Sequence, residues 1–77
     1  MVTLEDVLAI VATQLPRDAS TLDSVATFRE NDIDSLDLMT IFLAVEEGFE
    51  VKFSDPELEA IHSIGELVTA INRKRDA

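Results

Sequence analysis

The 77-residue chain has no cysteine, which excludes disulfides, thiolate metal centres and a cysteine nucleophile. Its only histidine, His62, stands just before a candidate helix start with no second ligand of suitable type nearby, so neither a metal centre nor histidine catalysis is expected. The acidic run from Asp32 to Asp37 fails as a calcium loop: Leu36 stands at the fifth position, Asp37 replaces the turn glycine and Leu43 replaces the closing glutamate. There is no glycine-rich phosphate loop and no nucleophile–base pair, which argues against an enzyme. Bases are scarce, with 6 Lys and Arg against 16 Asp and Glu and a formal net charge of -10. Phosphate contacts need clustered cations, so nucleic acid is not an expected partner. Apolar runs such as Ile41-Phe42-Leu43-Ala44-Val45 are far too short to cross a bilayer, and no membrane insertion is expected. The start Val2-Thr3-Leu4-Glu5-Asp6 lacks the basic and apolar stretches of a secretory signal and the arginines of a transit peptide, so the expected location is the cytoplasm.

What is present suits one small domain over residues 1–77. Hydrophobic residues make up 47% of the chain, enough for a modest core. A chain this short without covalent staples depends on regular helix packing. The acids are unevenly placed: residues 30–66 hold eleven of them and only Lys52 as a base, while Arg73, Lys74 and Arg75 gather near the end. A strongly negative middle steers a molecule toward basic partner surfaces. A monomer is the default oligomeric state.

The apolar spacing predicts an all-α fold, a small four-helix bundle of three main helices and a short third one, with a long loop between the first two. Leu4, Val7, Leu8, Val11 and Leu15 recur at helical spacing and predict a helix from Thr3 to Gln14, opened by a Thr3–Asp6 capping box and stopped by Pro16. Residues 16–34 form the long connection, with Leu22, Val25, Phe28 and Ile33 as candidate anchors and one short helical turn near Ser20. The second helix runs from Ser35 to about Glu47, with Asp34 as N-cap and Gly48 as a left-handed cap. Its apolar set is too wide for one stripe, so Leu36, Met39 and Leu43 are expected to lie partly exposed. Ser54-Asp55-Pro56-Glu57 opens the short third helix and Ser63-Ile64-Gly65-Glu66 the fourth, each with a capping-box pair. The fourth helix buries Ile64, Leu67, Val68 and Ile71, and its terminal cations suit the macrodipole.

The serines separate by what they are needed for. Ser54 and Ser63 each stand three before a glutamate and have a structural task at a helix start. Ser35 has none, because Asp34 can cap the helix and Leu38 lies three residues on. Its hydroxyl is left free at the first helical position, where unpaired N–H groups favour a phosphate ester, while the nearby Asp34 and Asp37 repel one, so stability alone does not argue for the ester. Asp34 and Asp37 are solvated carboxylates, too weak as bases to deprotonate a serine unaided.

Asp34-Ser35-Leu36-Asp37 resembles the modification motif of acyl carrier proteins. Glu46-Glu47-Gly48-Phe49-Glu50-Val51 resembles that family's acidic end to the second helix, and Phe53-Ser54-Asp55-Pro56-Glu57 its lead into the third. The resemblance covers nearly the whole chain. It implies a 4′-phosphopantetheine arm from coenzyme A on Ser35, attached by a phosphopantetheinyl transferase, with the terminal thiol carrying the cargo. It also implies acyl-loading and acyl-processing enzymes with basic surfaces as partners. They would dock on Asp34, Leu36, Asp37, Met39, Leu43, Glu46 and Glu47. The chain departs from the family pattern at Asp32, where a glycine is usual, and at Thr40, where fatty-acid carriers commonly have an acid. Both departures fit a carrier dedicated to a polyketide, lipid-modifying or aminoacyl pathway. Two alternatives stay open: a D-alanyl or aminoacyl carrier, and an unmodified acidic helical adaptor for a basic protein.

Overall fold

The computed structural model describes residues 1–16 and 18–76. Among these residues four α-helices follow in order, α1 (Leu4–Gln14), α2 (Ser35–Phe49), α3 (Asp55–Glu59) and α4 (Ile64–Asp76), with one 3-10 turn at Ala19–Thr21. This is the expected all-α bundle with one short helix and a long first connection. Val7 and Val11 of α1, Ile41, Phe42 and Val45 of α2, and Ile64, Leu67 and Ile71 of α4 meet in one buried cluster. Burying such side chains contributes about 1.5–3 kcal/mol each, which is what holds a chain this small together.

The helix starts follow local chemistry. Thr3 Oγ1 accepts the Asp6 N–H at 3.2 Å and Asp6 Oδ2 accepts the Thr3 N–H at 3.0 Å, a complete capping box. Those bonds hold the Asp6 carboxyl below its ordinary range. Ser54 and Glu57 form the same pair at α3. At α4 the expected box is shifted by one residue. Ser63 Oγ accepts the Glu66 N–H at 3.1 Å, but Glu66 Oε1 accepts from His62 N–H at 2.9 Å. Ser63 is instead buried and bridged to Thr27.

One expectation at the end of α2 needs correction. The helix runs to Phe49, and the left-handed residue after it is Glu50 (φ 55°), not Gly48. Gly48 lies inside the helix, where an added Cβ would sit 2.6 Å from Ile10 Cδ1, the movable tip of a side chain on α1. Glu46 adds a tie at this end. Its Oε2 accepts the Phe53 N–H at 2.8 Å, tying the α2–α3 connection to the helix end. Asn72 clasps the other end of the chain: its Oδ1 accepts from Val2 N–H at 2.8 Å and its Nδ2 donates to Val2 O at 2.9 Å.

The long connection is ordered by polar links. Thr27 Oγ1 accepts the Glu30 N–H and Glu30 Oε1 accepts the Thr27 N–H, so one more capping box starts a short turn there. That turn closes with Ile33 N–H donating to Phe28 O at 3.0 Å and Asp32 N–H to Arg29 O at 2.9 Å, while Asp32 takes the left-handed conformation (φ 58°). This explains in physical terms why a glycine suits that position. Phe28 and Ile33 are buried as expected, and the Phe28 ring meets Phe42 edge-on with centroids 5.9 Å apart. Val25 is not an anchor, being 87% exposed.

Candidate functional site

Ser35 is the first residue of α2 and lies exposed. Asp34 just before it has extended backbone, and its Oδ1 accepts the Asp37 N–H at 2.8 Å. The capping task therefore belongs to Asp34, and among the described residues the Ser35 hydroxyl has no hydrogen-bond partner. Asp34 makes its hydrogen bond to the Asp37 N–H and not to the serine hydroxyl. The hydroxyl sits among the unpaired N–H groups of a helix start, where an anionic ester is favoured by about 0.3–1 kcal/mol at an exposed site. These features fit a serine that accepts a phosphate-linked group from an outside enzyme, and they offer no internal base to do the chemistry.

Beyond Ser35 the exposed face of α2 carries Leu36 at 75%, Met39 at 63% and Leu43 at 63% exposure. Their spacing of three and four residues puts them on one stripe. Thr40 lies on the same face, and its Oγ1 donates to Leu36 O at 3.1 Å, so the hydroxyl is satisfied by the helix itself. Glu47 is exposed at the far end. Glu46 is half-buried and engaged with Phe53, which gives it a structural duty that its place in the sequence did not reveal. The predicted partner residues thus fall into an exposed row (Leu36, Met39, Leu43, Glu47), a capping pair beside the serine (Asp34, Asp37) and one turned inward (Glu46).

Sequence reasoning missed the polar support behind the site. Asn31, buried, joins the loop to itself four residues ahead of Ser35. The Thr27–Glu30 box was missed as well, although its residue types and spacing are a capping-box signal, whereas nothing in the periodicity marks Asn31. Among the described residues no helix is long and apolar enough to cross a membrane. No group of three or more His, Asp or Glu among them is placed to hold a metal ion.

Comparison with known proteins agrees with this geometry. A family model described as the phosphopantetheine attachment site matches residues 5–71. The acyl carrier protein of Helicobacter pylori strain J99 is 35% identical over 72 residues, covering 92% of each chain. That of Onion yellows phytoplasma is 34% identical over 70 residues, 90% of this chain and 92% of its own. That of Chlamydia caviae is 32% identical over 72 residues, 92% of this chain and 94% of its own. Residues at the start of α2, a bundle that leaves them open and matches along nearly the full length lead to one conclusion: the chain belongs to the acyl carrier protein family, a carrier with a 4′-phosphopantetheine prosthetic group and not an enzyme.

Proposed function

We infer that the chain carries acyl groups on an arm esterified to Ser35 and delivers them to enzymes of a fatty-acid, polyketide or specialised lipid pathway. The observation that carries this reading is the division of labour at the start of α2: Asp34 caps the helix, and the exposed Ser35 hydroxyl is spared. A phosphopantetheinyl transferase would join Ser35 Oγ to the phosphorus of the pantetheine phosphate. The bond broken is the pyrophosphate linkage of coenzyme A; adenosine 3′,5′-bisphosphate leaves, and the transferase takes the hydroxyl proton. When attached, the arm supplies a terminal thiol that holds cargo as a thioester. This chain's own part is to present the hydroxyl, to place helix N–H groups near the ester, and to offer a docking face.

That face is the exposed row of α2. Leu36, Met39 and Leu43 supply apolar contact, while Asp34, Asp37 and Glu47 supply negative charge for basic surfaces on the loading and processing enzymes. Thr40 leaves the middle of the row without charge, which supports partners different from those that read an acid there. The test is intact mass after incubation with coenzyme A and a broad-specificity transferase. The chain should gain one phosphopantetheine, and Ser35→Ala should keep its helical circular dichroism and gain none. Absence of any gain in the parent chain, under conditions that modify a known carrier, would instead support the unmodified adaptor.

A further inference from the structure

We propose that Asn31 is a positioning residue for arm attachment: its buried amide holds the loop in the one arrangement that presents Ser35 to the transferase. The proposal rests on Ser35 being the acceptor, as argued above.

Asn31 and Ser63 are the buried polar side chains among the described residues. Asn31 Oδ1 accepts the Asp23 N–H at 2.8 Å, and its Nδ2 donates to Asp23 O at 2.9 Å and to Thr27 O at 3.1 Å. One side chain thus pairs with both backbone groups of a residue eight positions earlier, as a neighbouring strand would. Asp23 in turn uses Oδ1 to accept from Val25 N–H at 3.0 Å, which sets the direction of the chain after it. On the opposite side the loop is stitched to the start of α4 through Phe28 N–H to His62 O and Gly65 N–H to Ser24 O, both at 2.9 Å.

The link from Asn31 to Ser35 is short and continuous. Asn31's own N–H donates to Thr27 O and Phe28 O; Asp32 turns left-handed; Ile33 is buried and bonded to Phe28 O; Asp34 caps; Ser35 begins α2. Little slack exists between the amide and the hydroxyl. The chemistry of Asn31 is also specific. A leucine would take this partner from both backbone groups of Asp23 and leave Thr27 O with the Asn31 N–H alone. An aspartate at neutral pH would keep an acceptor but set a carboxylate against the carbonyls of Asp23 and Thr27. Only the paired acceptor and donor of an amide at this reach satisfies all three. α2 keeps other support without this link, because it packs on α1 and its Ile41, Phe42 and Val45 belong to the common apolar cluster. Loss of the amide therefore frees the loop and its serine while leaving the docking helix in place.

The test compares transferase kinetics on the full chain for the parent, Asn31→Ala, Asn31→Asp and a control, Val68→Ala, on the partly buried side of α4. If Asn31→Ala does not fold, Asn31→Ser is the second variant. Misplacing a reacting group lowers the chemical step, so kcat should fall about tenfold or more in the Asn31 variants with KM within about twofold, because the α2 face that docks is intact. Val68→Ala, with its own loss of thermal stability, should keep the parent kcat. Parent-like kcat in the Asn31 variants, or an equal fall in Val68→Ala, overturns the proposal. A parent chain that accepts no arm, or a Ser35→Ala chain that does, overturns instead the reading of Ser35 on which it rests.

Discussion

The bundle and the connection that precedes α2 are held by different forces. In α1, α2 and α4 the contacts are apolar, with Val7, Val11, Ile41, Val45, Ile64, Leu67 and Ile71 fully buried. Between residues 18 and 34 few of the described side chains are buried, and order comes from side chains that bond to backbone: Asn31 to Asp23, Glu30 to Thr27, Asp23 to Val25. Apolar burial is undirected and survives small shifts. Hydrogen bonds fix distance and angle. The part of the molecule that must present one hydroxyl to an enzyme is built from the directional kind, and the part that must only persist is built from the other.

The comparison can be broken most forcefully from the bundle side. Phe42→Ala removes a buried ring and its edge contact with Phe28, and should cost about 3–5 kcal/mol in urea denaturation; a loss below 1 kcal/mol would show that the core is not where stability resides. Thr27→Ala removes a cap from the connection and should cost about 1 kcal/mol. Hydrogen exchange should register it at residues 28–33 and not at the centre of α4. Of the two left-handed residues, Glu50 lies at the end of a bundle helix and Asp32 at the end of the loop turn. Glu50→Gly should raise stability by roughly 1 kcal/mol and Asp32→Gly by a few tenths, because aspartate tolerates this conformation better than glutamate.

The smallest effect is electrostatic. Lys74 Nζ lies 2.8 Å from Glu57 Oε2, joining α3 to α4. That hydrogen bond, aided by the Ser54 N–H, lowers the Glu57 carboxyl from 4.5 to about 2. A depressed acid contributes stability that is complete above its unfolded value and fades as pH falls toward the folded one. The difference in melting temperature between the parent and Glu57→Gln should therefore be constant above about pH 4.5 and shrink between there and about pH 2. The pair is exposed, so the difference is small. A gap that persists unchanged at pH 2 would remove Lys74 as the cause.

These differences also explain what could be read in advance. Helical spacing and the boxes at Thr3 and Ser54 gave the helices of the bundle nearly to the residue, because both signals are local and repeat along the chain. The open position of Ser35 followed from the same logic, once Asp34 was recognised as the cap. Glycine misleads here: Gly48 suggests a left-handed stop, yet it stays helical and Glu50 makes the turn. A glycine near a helix end marks where a left-handed residue is easy, not where the packing places it. Asn31 and Glu46 stayed hidden because their partners, Asp23 and Phe53, lie eight and seven residues away at no regular period.

Both asparagines of the chain, Asn31 and Asn72, use the two ends of one amide to grip both backbone groups of a remote residue, Asp23 in one case and Val2 in the other. Slow hydrolysis of either amide to a carboxylate would delete the donor and press a negative charge against a carbonyl oxygen. Such chemical ageing would open a clasp, letting go of the loop before α2 or of the chain's beginning while the apolar interior stayed closed.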